Sequence, residues 1–166
     1  MIWSRILPLA LLLSACCGKV YNFKGANIPV DVKSFSVSMF KNEAPIVNTE
    51  LGISMTEKLK TKFQQQTSLG LVENEGDYNF TAVIIDYKIE PVNLNANQGT
   101  AQNRFTITLQ VDFKCEKHPD KNFNKPYTNF RNFDASSQFQ SVEKSFANEI
   151  ADNIVQQIFA DVALDW

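Results

Sequence analysis

Three cysteines and one histidine are the first candidates in this 166-residue chain for nucleophilic, metal-binding or acid–base chemistry. A thiolate acts as a nucleophile or a metal ligand, and an imidazole binds a metal or moves a proton. His118 stands in a Lys-His-Pro-Asp turn, with no second ligand at the spacing of a metal site. Glycine-rich phosphate loops, a serine-centred elbow and CxxC pairs are also absent from the sequence. The sequence therefore predicts no catalysis, no metal and no cofactor, and a solvated turn is the better interpretation of His118.

Cys16 is the residue for which the sequence predicts covalent chemistry. Arg5 precedes an apolar run at residues 6–13, which has the length of a signal-peptide core and is too short to cross a bilayer. The Leu-Ser-Ala-Cys sequence at residues 13–16 resembles the lipobox of bacterial lipoproteins, in which the cysteine is lipidated before the signal is cleaved. We therefore expect a diacylglycerol and an N-acyl chain on Cys16, which together would anchor the mature chain firmly to a membrane.

Two alternatives remain for this region. A plain secretory signal could be cut at the same small residues, or Cys17 could be the acceptor. The residues before Cys17 lack the aliphatic residue at the front of a lipobox, so Cys16 fits better. No acidic export signal follows the two cysteines, and the expected location is the periplasmic side of the outer membrane of a Gram-negative organism.

Length and charge limit what the remaining chain does. Residues 1–15 are predicted to be the signal peptide, 16–31 a lipidated N-terminus and tether, and 32–166 a single domain. Loss of Arg5 takes the formal charge from −2 to −3, which provides no field for binding nucleic acid. A disulfide between Cys17 and Cys115 is possible in an oxidising compartment.

Alternation of apolar and polar residues predicts the strands. In the first strand, Phe35, Val37 and Met39 share one face and serines the other. The last strand is irregular in period, and Pro126 indicates an edge or a bulge. The predicted strands are residues 32–39, 69–72, 78–94, 104–117 and 123–133.

Apolar residues at intervals of four predict two helices. The first covers residues 49–66, and the second begins near Ser141, which is its predicted cap. The apolar stripe of the first is Leu51, Met55, Leu59 and Phe63, and that of the second is Val142, Phe146, Ile150, Ile154, Ile158 and Val162. The order of elements predicts an α+β two-layer sandwich, with a mostly antiparallel four- to five-stranded sheet and two helices on one face.

The strand at 104–117 predicts what the other face of the sheet presents. Its apolar row is Phe105, Ile107, Leu109, Val111, Phe113 and Cys115. Its polar row is Arg104, Thr106, Thr108, Gln110, Asp112 and Lys114. Because both helices should cover the apolar row, we expect the polar row to form an open, wet face.

Several strings together resemble the LptE family of lipopolysaccharide-assembly lipoproteins, in particular its Bacteroidota branch. They are CGKVYNFKGA at residues 17–26, FQQQTSLGLV at 63–72, NRFTIT at 103–108 and ALDW at 163–166. The resemblance implies a non-catalytic outer-membrane lipoprotein that plugs the barrel LptD, assists its folding and helps to deliver lipopolysaccharide to the surface. It leaves open whether lipopolysaccharide is bound directly. Barrel interiors are polar, which would suit the open face.

Two other functions are compatible with parts of the sequence. A free-standing periplasmic lipoprotein that binds a lipid or hydrophobic ligand is suggested by the aromatic residues Phe123, Tyr127, Phe130, Phe133 and Phe139. The same residues could instead pack an edge strand and the start of the second helix. An envelope enzyme is the other alternative, and the missing catalytic constellation argues against it.

A local basic patch is the one candidate binding site that the sequence offers after Cys16. Arg104, Lys114, Lys125 and Arg131 should meet where the last two strands pair. Guanidinium and ammonium groups bind phosphate and carboxylate oxygens, so the patch could contact lipopolysaccharide or acidic loops of the barrel. A solubilising surface is the plainer interpretation of the same residues.

We predict that Cys16→Ala abolishes incorporation of a palmitate analogue and mislocalises the chain, because the acyl chains have no other attachment point. Cys17→Ala is the matched control and should be labelled like the natural chain. Labelling of the Cys16→Ala variant at the normal level would contradict the assignment of the lipidated residue.

Overall fold

The computed structural model describes residues 26–46, 48–92 and 101–164. The strands are β1 (Ser34–Val37), β2 (Lys41–Asn42), β3 (Gly70–Leu71), β4 (Tyr78–Val92), β5 (Gln102–Cys115) and β6 (Phe123–Asp134). The helices are α1 (Thr49–Gln66) and α2 (Phe139–Ala163), and a short 3₁₀ turn (Pro119–Lys121) joins β5 to β6. Neither α1 nor α2 is long and apolar enough to pass through a bilayer. The predicted signal sequence and the two cysteines that follow it, Cys16 and Cys17, lie outside the described residues.

The six strands form one mixed sheet in the order β3-β1-β4-β5-β6, and β2 also pairs with β4. The chain joins β4, β5 and β6 by successive reversals, so these long strands are antiparallel. Helix α1 is a crossover, and the strands on its two sides, β1 and β4, therefore run parallel. The α+β class is confirmed, but the sheet has six strands, because β2 was not predicted. It is also mixed, because β1 pairs in parallel with β4 and with β3, and β2 pairs in parallel with β4.

Both helices lie on the same face of the sheet. The Phe63 ring of α1 lies 5.5 Å from Phe35 on β1, 5.0 Å from Phe80 on β4 and 5.2 Å from Phe159 on α2, measured between ring centroids. Along the helix surface, Lys58 pairs with Asp152 at 2.5 Å, and one turn further Lys62 donates to Gln156. The two contacts advance together, so α1 and α2 run parallel.

The bounds and apolar stripe of α1 are confirmed. The Asn48 side chain caps it by accepting a hydrogen bond from the Leu51 N–H at 3.1 Å. At the other end, the Thr67 N–H and hydroxyl both donate to the Phe63 carbonyl. The stripe residues Leu51, Met55, Leu59 and Phe63 are all buried.

Two local expectations were wrong. Met39 is 56% exposed, because β1 ends at Val37 and the core position is taken by Phe40, whose N–H donates to the Thr56 hydroxyl at 3.0 Å. Helix α2 begins at Phe139, before the predicted cap Ser141, whose hydroxyl donates to the Gln138 carbonyl instead.

The Asp77 carboxylate links three segments of the chain at the end of the sheet where β1 and β4 begin. It accepts hydrogen bonds from the N–H groups of Lys33 at 2.6 Å and Ser34 at 3.0 Å, and it pairs with the Lys117 ammonium at 2.9 Å. The Lys33 N–H and then the Lys117 ammonium lower the pKa of Asp77 to about 2. The ionised carboxylate therefore holds β1, β4 and the β5–β6 turn together.

We predict that Asp77→Asn loses about 1–3 kcal/mol of unfolding free energy at pH 7, because two backbone donors and an ammonium lose their ionised acceptor. The pKa of Asp77 is lowered in the fold, so its contribution is complete above the unfolded value near 4 and is lost as the pH falls towards 2. Urea unfolding is measured at pH 7, 4 and 2. The difference in unfolding free energy between the natural chain and the variant should become small at pH 2.

Asp120→Asn is the control, because Asp120 is exposed in the neighbouring 3₁₀ turn. It should leave the unfolding free energy unchanged within about 0.5 kcal/mol. Equal unfolding free energies of the natural chain and Asp77→Asn at pH 7 would contradict the role given to Asp77, and so would a difference that is as large at pH 2 as at pH 7.

Candidate functional site

The candidate site is the face of β4, β5 and β6 turned away from α1 and α2. Residues opposite each other in the register share a face, which places Asp86, Thr108 and Thr128 in one outward row and Lys88, Thr106 and Phe130 in the next. The outward residues of the three strands are Asn79, Thr81, Val83, Asp86, Lys88, Glu90, Val92, Gln102, Arg104, Thr106, Thr108, Gln110, Asp112, Lys114, Asn124, Pro126, Thr128, Phe130, Asn132 and Asp134. We call this set the open face. Neither described helix covers it.

The middle of the open face is less accessible than its polar sequence indicated. Thr106 and Thr108 are only 8% and 5% exposed, because β5 is central and side chains of β4 and β6 close over it from both sides. The hydroxyls of Thr108 and Thr128 lie 3.0 Å apart and share a hydrogen bond. Gln110 donates to Asn124 across the same strand pair. The polar groups at the centre are therefore largely satisfied within the sheet.

Charges on the open face are mostly cancelled by near neighbours. Lys88 lies 3.5 Å from Glu90 on β4, and Lys114 lies 3.6 Å from Asp112 on β5. Such exposed pairs contribute little to stability, about 0–1 kcal/mol each. Their effect on the surface is larger, because they leave it nearly neutral.

Arg104 is the cation that does not follow this pattern. Its guanidinium lies 4.1 Å from the centroid of the Phe130 ring, and its Nε donates to the Asn132 side chain at 3.0 Å. Phe130 is 43% exposed. Within the described ranges, Arg104 makes no ion pair. A stacked guanidinium with neutral partners thus lies at one end of the open face.

The four residues of the predicted basic patch do not lie together. Arg104 and Lys114 share the open face, but ten residues of strand separate them, which is about 33 Å. Lys125 and Arg131 point to the helix side, where Lys125 pairs with Asp161 at 2.6 Å and Arg131 pairs with Glu149. Side chains alternate along β6, so Lys125 and Arg131 lie on the same side of the strand as the buried residues Tyr127 and Phe133. The sequence around Pro126 does not alternate regularly between apolar and polar residues, so it did not indicate which residues of β6 face the helices.

Lys125 and Arg131 fasten the edge strand β6 to α2. The Tyr127 hydroxyl also donates to Asp161, at 2.7 Å. Partial burial alone would raise the pKa of Asp161, but the hydrogen bonds from Lys125 and Tyr127 outweigh it and the pKa is lowered. Arg131 likewise lowers the pKa of Glu149. Both basic side chains have carboxylate partners within the fold and are poor candidates for binding an external anion.

His118 is paired rather than simply solvated. Its Nε2 lies 3.1 Å and 3.2 Å from the two carboxylate oxygens of Asp31. This hydrogen bond lowers the pKa of Asp31. Cys115 is buried nearby with a free thiol, and burial raises the pKa of that thiol, which disfavours the reactive thiolate. Within 26–46, 48–92 and 101–164, no three potential ligands are grouped as a metal site requires.

The aromatic residues that suggested a lipid binder mostly pack the domain itself. Tyr127 and Phe133 are buried, while Phe123 and Phe139 are partly buried against the core and contact other rings. Phe130 alone among the five lies on the open face. A groove of about 460 Å³ between the N-terminal halves of α1 and α2 is lined by both polar and apolar side chains, including Glu50, Ser54, Glu143 and Lys144 with Leu51 and Ile53. This lining is unlike the predominantly apolar wall of a lipid pocket.

Comparisons with known proteins agree with the fold and identify a family. Residues 32–162 match the family model described as "LptE: Lipopolysaccharide-assembly". A minor lipoprotein from Acinetobacter baumannii superimposes with a TM-score of 0.54 at 13% identity, covering 81% of this chain and 94% of that one. A protein from Xanthomonas campestris gives a TM-score of 0.51 at 10% identity, covering 78% and 84%. At these identities the two structures are similar in fold alone. No curated protein sequence matches the chain.

Proposed function

The chain belongs to the LptE family of lipopolysaccharide-assembly proteins, and from this premise we propose that it is a non-catalytic outer-membrane lipoprotein that plugs an LptD-like β-barrel. In that position it assists assembly of the barrel for transport of lipopolysaccharide to the cell surface. The observation that carries the proposal is the open face, a polar sheet surface left uncovered by both helices.

The composition of the open face suits the lumen of a barrel. Barrel interiors are polar and hydrated, and a docked surface must not bury unpaired charges. The Thr108 hydroxyl and the Gln110 side-chain amide already have partners within the sheet. The pairs Lys88–Glu90 and Asp112–Lys114 cancel most of the charge. The face could therefore approach a polar wall at a small desolvation cost.

The proposed lipid anchor would attach the domain at one end. Asn27 donates its N–H to the carbonyl of Ala163, at the C-terminal end of α2, at 2.6 Å. His118 and Asp31 pair near the same end. Ten residues separate Cys16 from Ala26, and they span at most about 35 Å when fully extended. A lipid on Cys16 would thus hold this end of the sandwich near the inner leaflet.

We predict that the tagged full-length chain, extracted from the membranes of its own cells in mild detergent, co-purifies with a large outer-membrane β-barrel in near-equal amount. Heat-dependent mobility on gels and mass spectrometry would identify the barrel. An unrelated lipoprotein with the same tag is the control. Depletion of the chain should lower surface lipopolysaccharide and admit large hydrophobic antibiotics.

Recovery of the chain without a barrel, while lipopolysaccharide export continues normally in depleted cells, would contradict the proposed function. Tight binding of lipid by that barrel-free chain would favour the periplasmic binder instead.

A further inference from the structure

We propose that Arg104 and Phe130 form the anchoring contact of the open face with the barrel, in which a carboxylate of the barrel wall is the counter-charge of the guanidinium. This inference rests on the proposed function and adds to it the place of contact and the chemistry of the partner group.

The charge distribution of the open face singles out Arg104. Lys88 and Lys114 have acidic neighbours on their own strands, and Arg131 pairs with Glu149 on the helix side. Glu90 lies opposite Arg104 on β4 but pairs with Lys88, and Arg104 itself bonds to an amide oxygen and stacks on an aromatic ring. Its Nε–H is used by Asn132, which leaves the four N–H groups of the two terminal nitrogens for a partner. A carboxylate that accepts two of them in parallel matches that geometry.

The contact is also pre-organised. The Phe130 ring supports the guanidinium from one side at 4.1 Å, and the hydrogen bond to Asn132 fixes its Nε edge. A side chain already held in place loses less conformational entropy on binding than a free arginine. Phe130 remains 43% exposed and offers apolar area beside the charge. Arginine and aromatic residues are the types that contribute most at the centres of protein interfaces.

Position on the sheet favours a protein partner over membrane lipid. Arg104 lies near the start of β5, whereas the N-terminal segment contacts the opposite end of the domain, near Cys115 and Ala163. Eleven residues of strand separate Arg104 from Cys115, or about 36 Å. The proposed contact and the proposed lipid anchor would then hold the domain at two opposite ends and fix its orientation within the barrel.

The experiment uses the full-length tagged chain in its own cells and measures the barrel recovered with it at low and moderate salt. Arg104→Glu should lower the recovered barrel at least about tenfold, because it brings two carboxylates together. Phe130→Ala should lower it by a similar factor, since it removes both apolar area and the support of the guanidinium. Arg104→Lys should co-purify with an intermediate amount of barrel, because an ammonium keeps the positive charge but lacks the planar pair of donors of a guanidinium.

Lys144→Glu is the matched control, since it makes the same kind of charge reversal at an exposed cation of α2, which lies on the opposite side of the sheet from the open face. It should keep the recovered barrel within about twofold of the natural chain. Thermal unfolding of each purified variant establishes that it is folded, and Arg104→Gln replaces Arg104→Glu if the reversal unfolds the chain.

The outcomes separate this inference from the proposed function. If the natural chain recovers no barrel, the proposed function fails. If the natural chain recovers the barrel and folded Arg104→Glu recovers as much, the function stands and the inference is overturned. The inference is also overturned if Arg104→Glu keeps the barrel but the purified complex loses lipopolysaccharide, because Arg104 would then contact the lipid.

Discussion

Packing around Phe63 is the interaction on which the remaining architecture depends. One ring from α1 touches two strands and the second helix, so both helices are held against the same face of the sheet. Most of the apolar residues of β4 and β5 are buried on that side. Whatever the protein binds through its sheet must therefore bind through the opposite, polar side.

A sheet face without a covering layer meets either water or a partner, and its side chains differ in the two cases. A face meant only for water commonly carries many charges. Here the centre is made of threonines and amides that bond to one another, and most of the charges lie in self-neutralising pairs towards the ends. Such a surface can exchange water for a polar wall without burying unpaired charge. Phe130 and Arg104 depart from this composition, and that departure distinguishes one end of the face from the rest.

Sequence patterns predicted the elements whose periodicity is strong and local. Helix α1 has an apolar residue at every fourth position, and β5 alternates without interruption, so the structure agrees with both. Strand β3 lies within the strand predicted at residues 69–72, whereas β2 was not predicted, because a two-residue strand exists only through its pairing with β4. Met39 extended the alternation of β1, but the chain turns away at Ser38 and Phe40 fills the core instead.

The candidate site was predicted only in part for a related reason. The outward row of β5 follows from alternation, yet the burial of Thr106 and Thr108 depends on neighbours in other strands. Lys125 and Arg131 were assigned to the wrong face because Pro126 obscures the period of β6. Stacking of Arg104 on Phe130 joins residues 26 positions apart in the chain and requires the β5–β6 register to be recognised.

Photo-crosslinking in living cells tests the central claim that the open face contacts the partner. A photoreactive residue at Thr81, which is exposed on the open face, is compared with one at Glu57, which is exposed on α1. We expect the photoreactive residue at position 81 to crosslink to an outer-membrane barrel in high yield. Crosslinking of the barrel from Glu57 with none from Thr81 would contradict it, because the partner would then contact the helices and leave the open face to water.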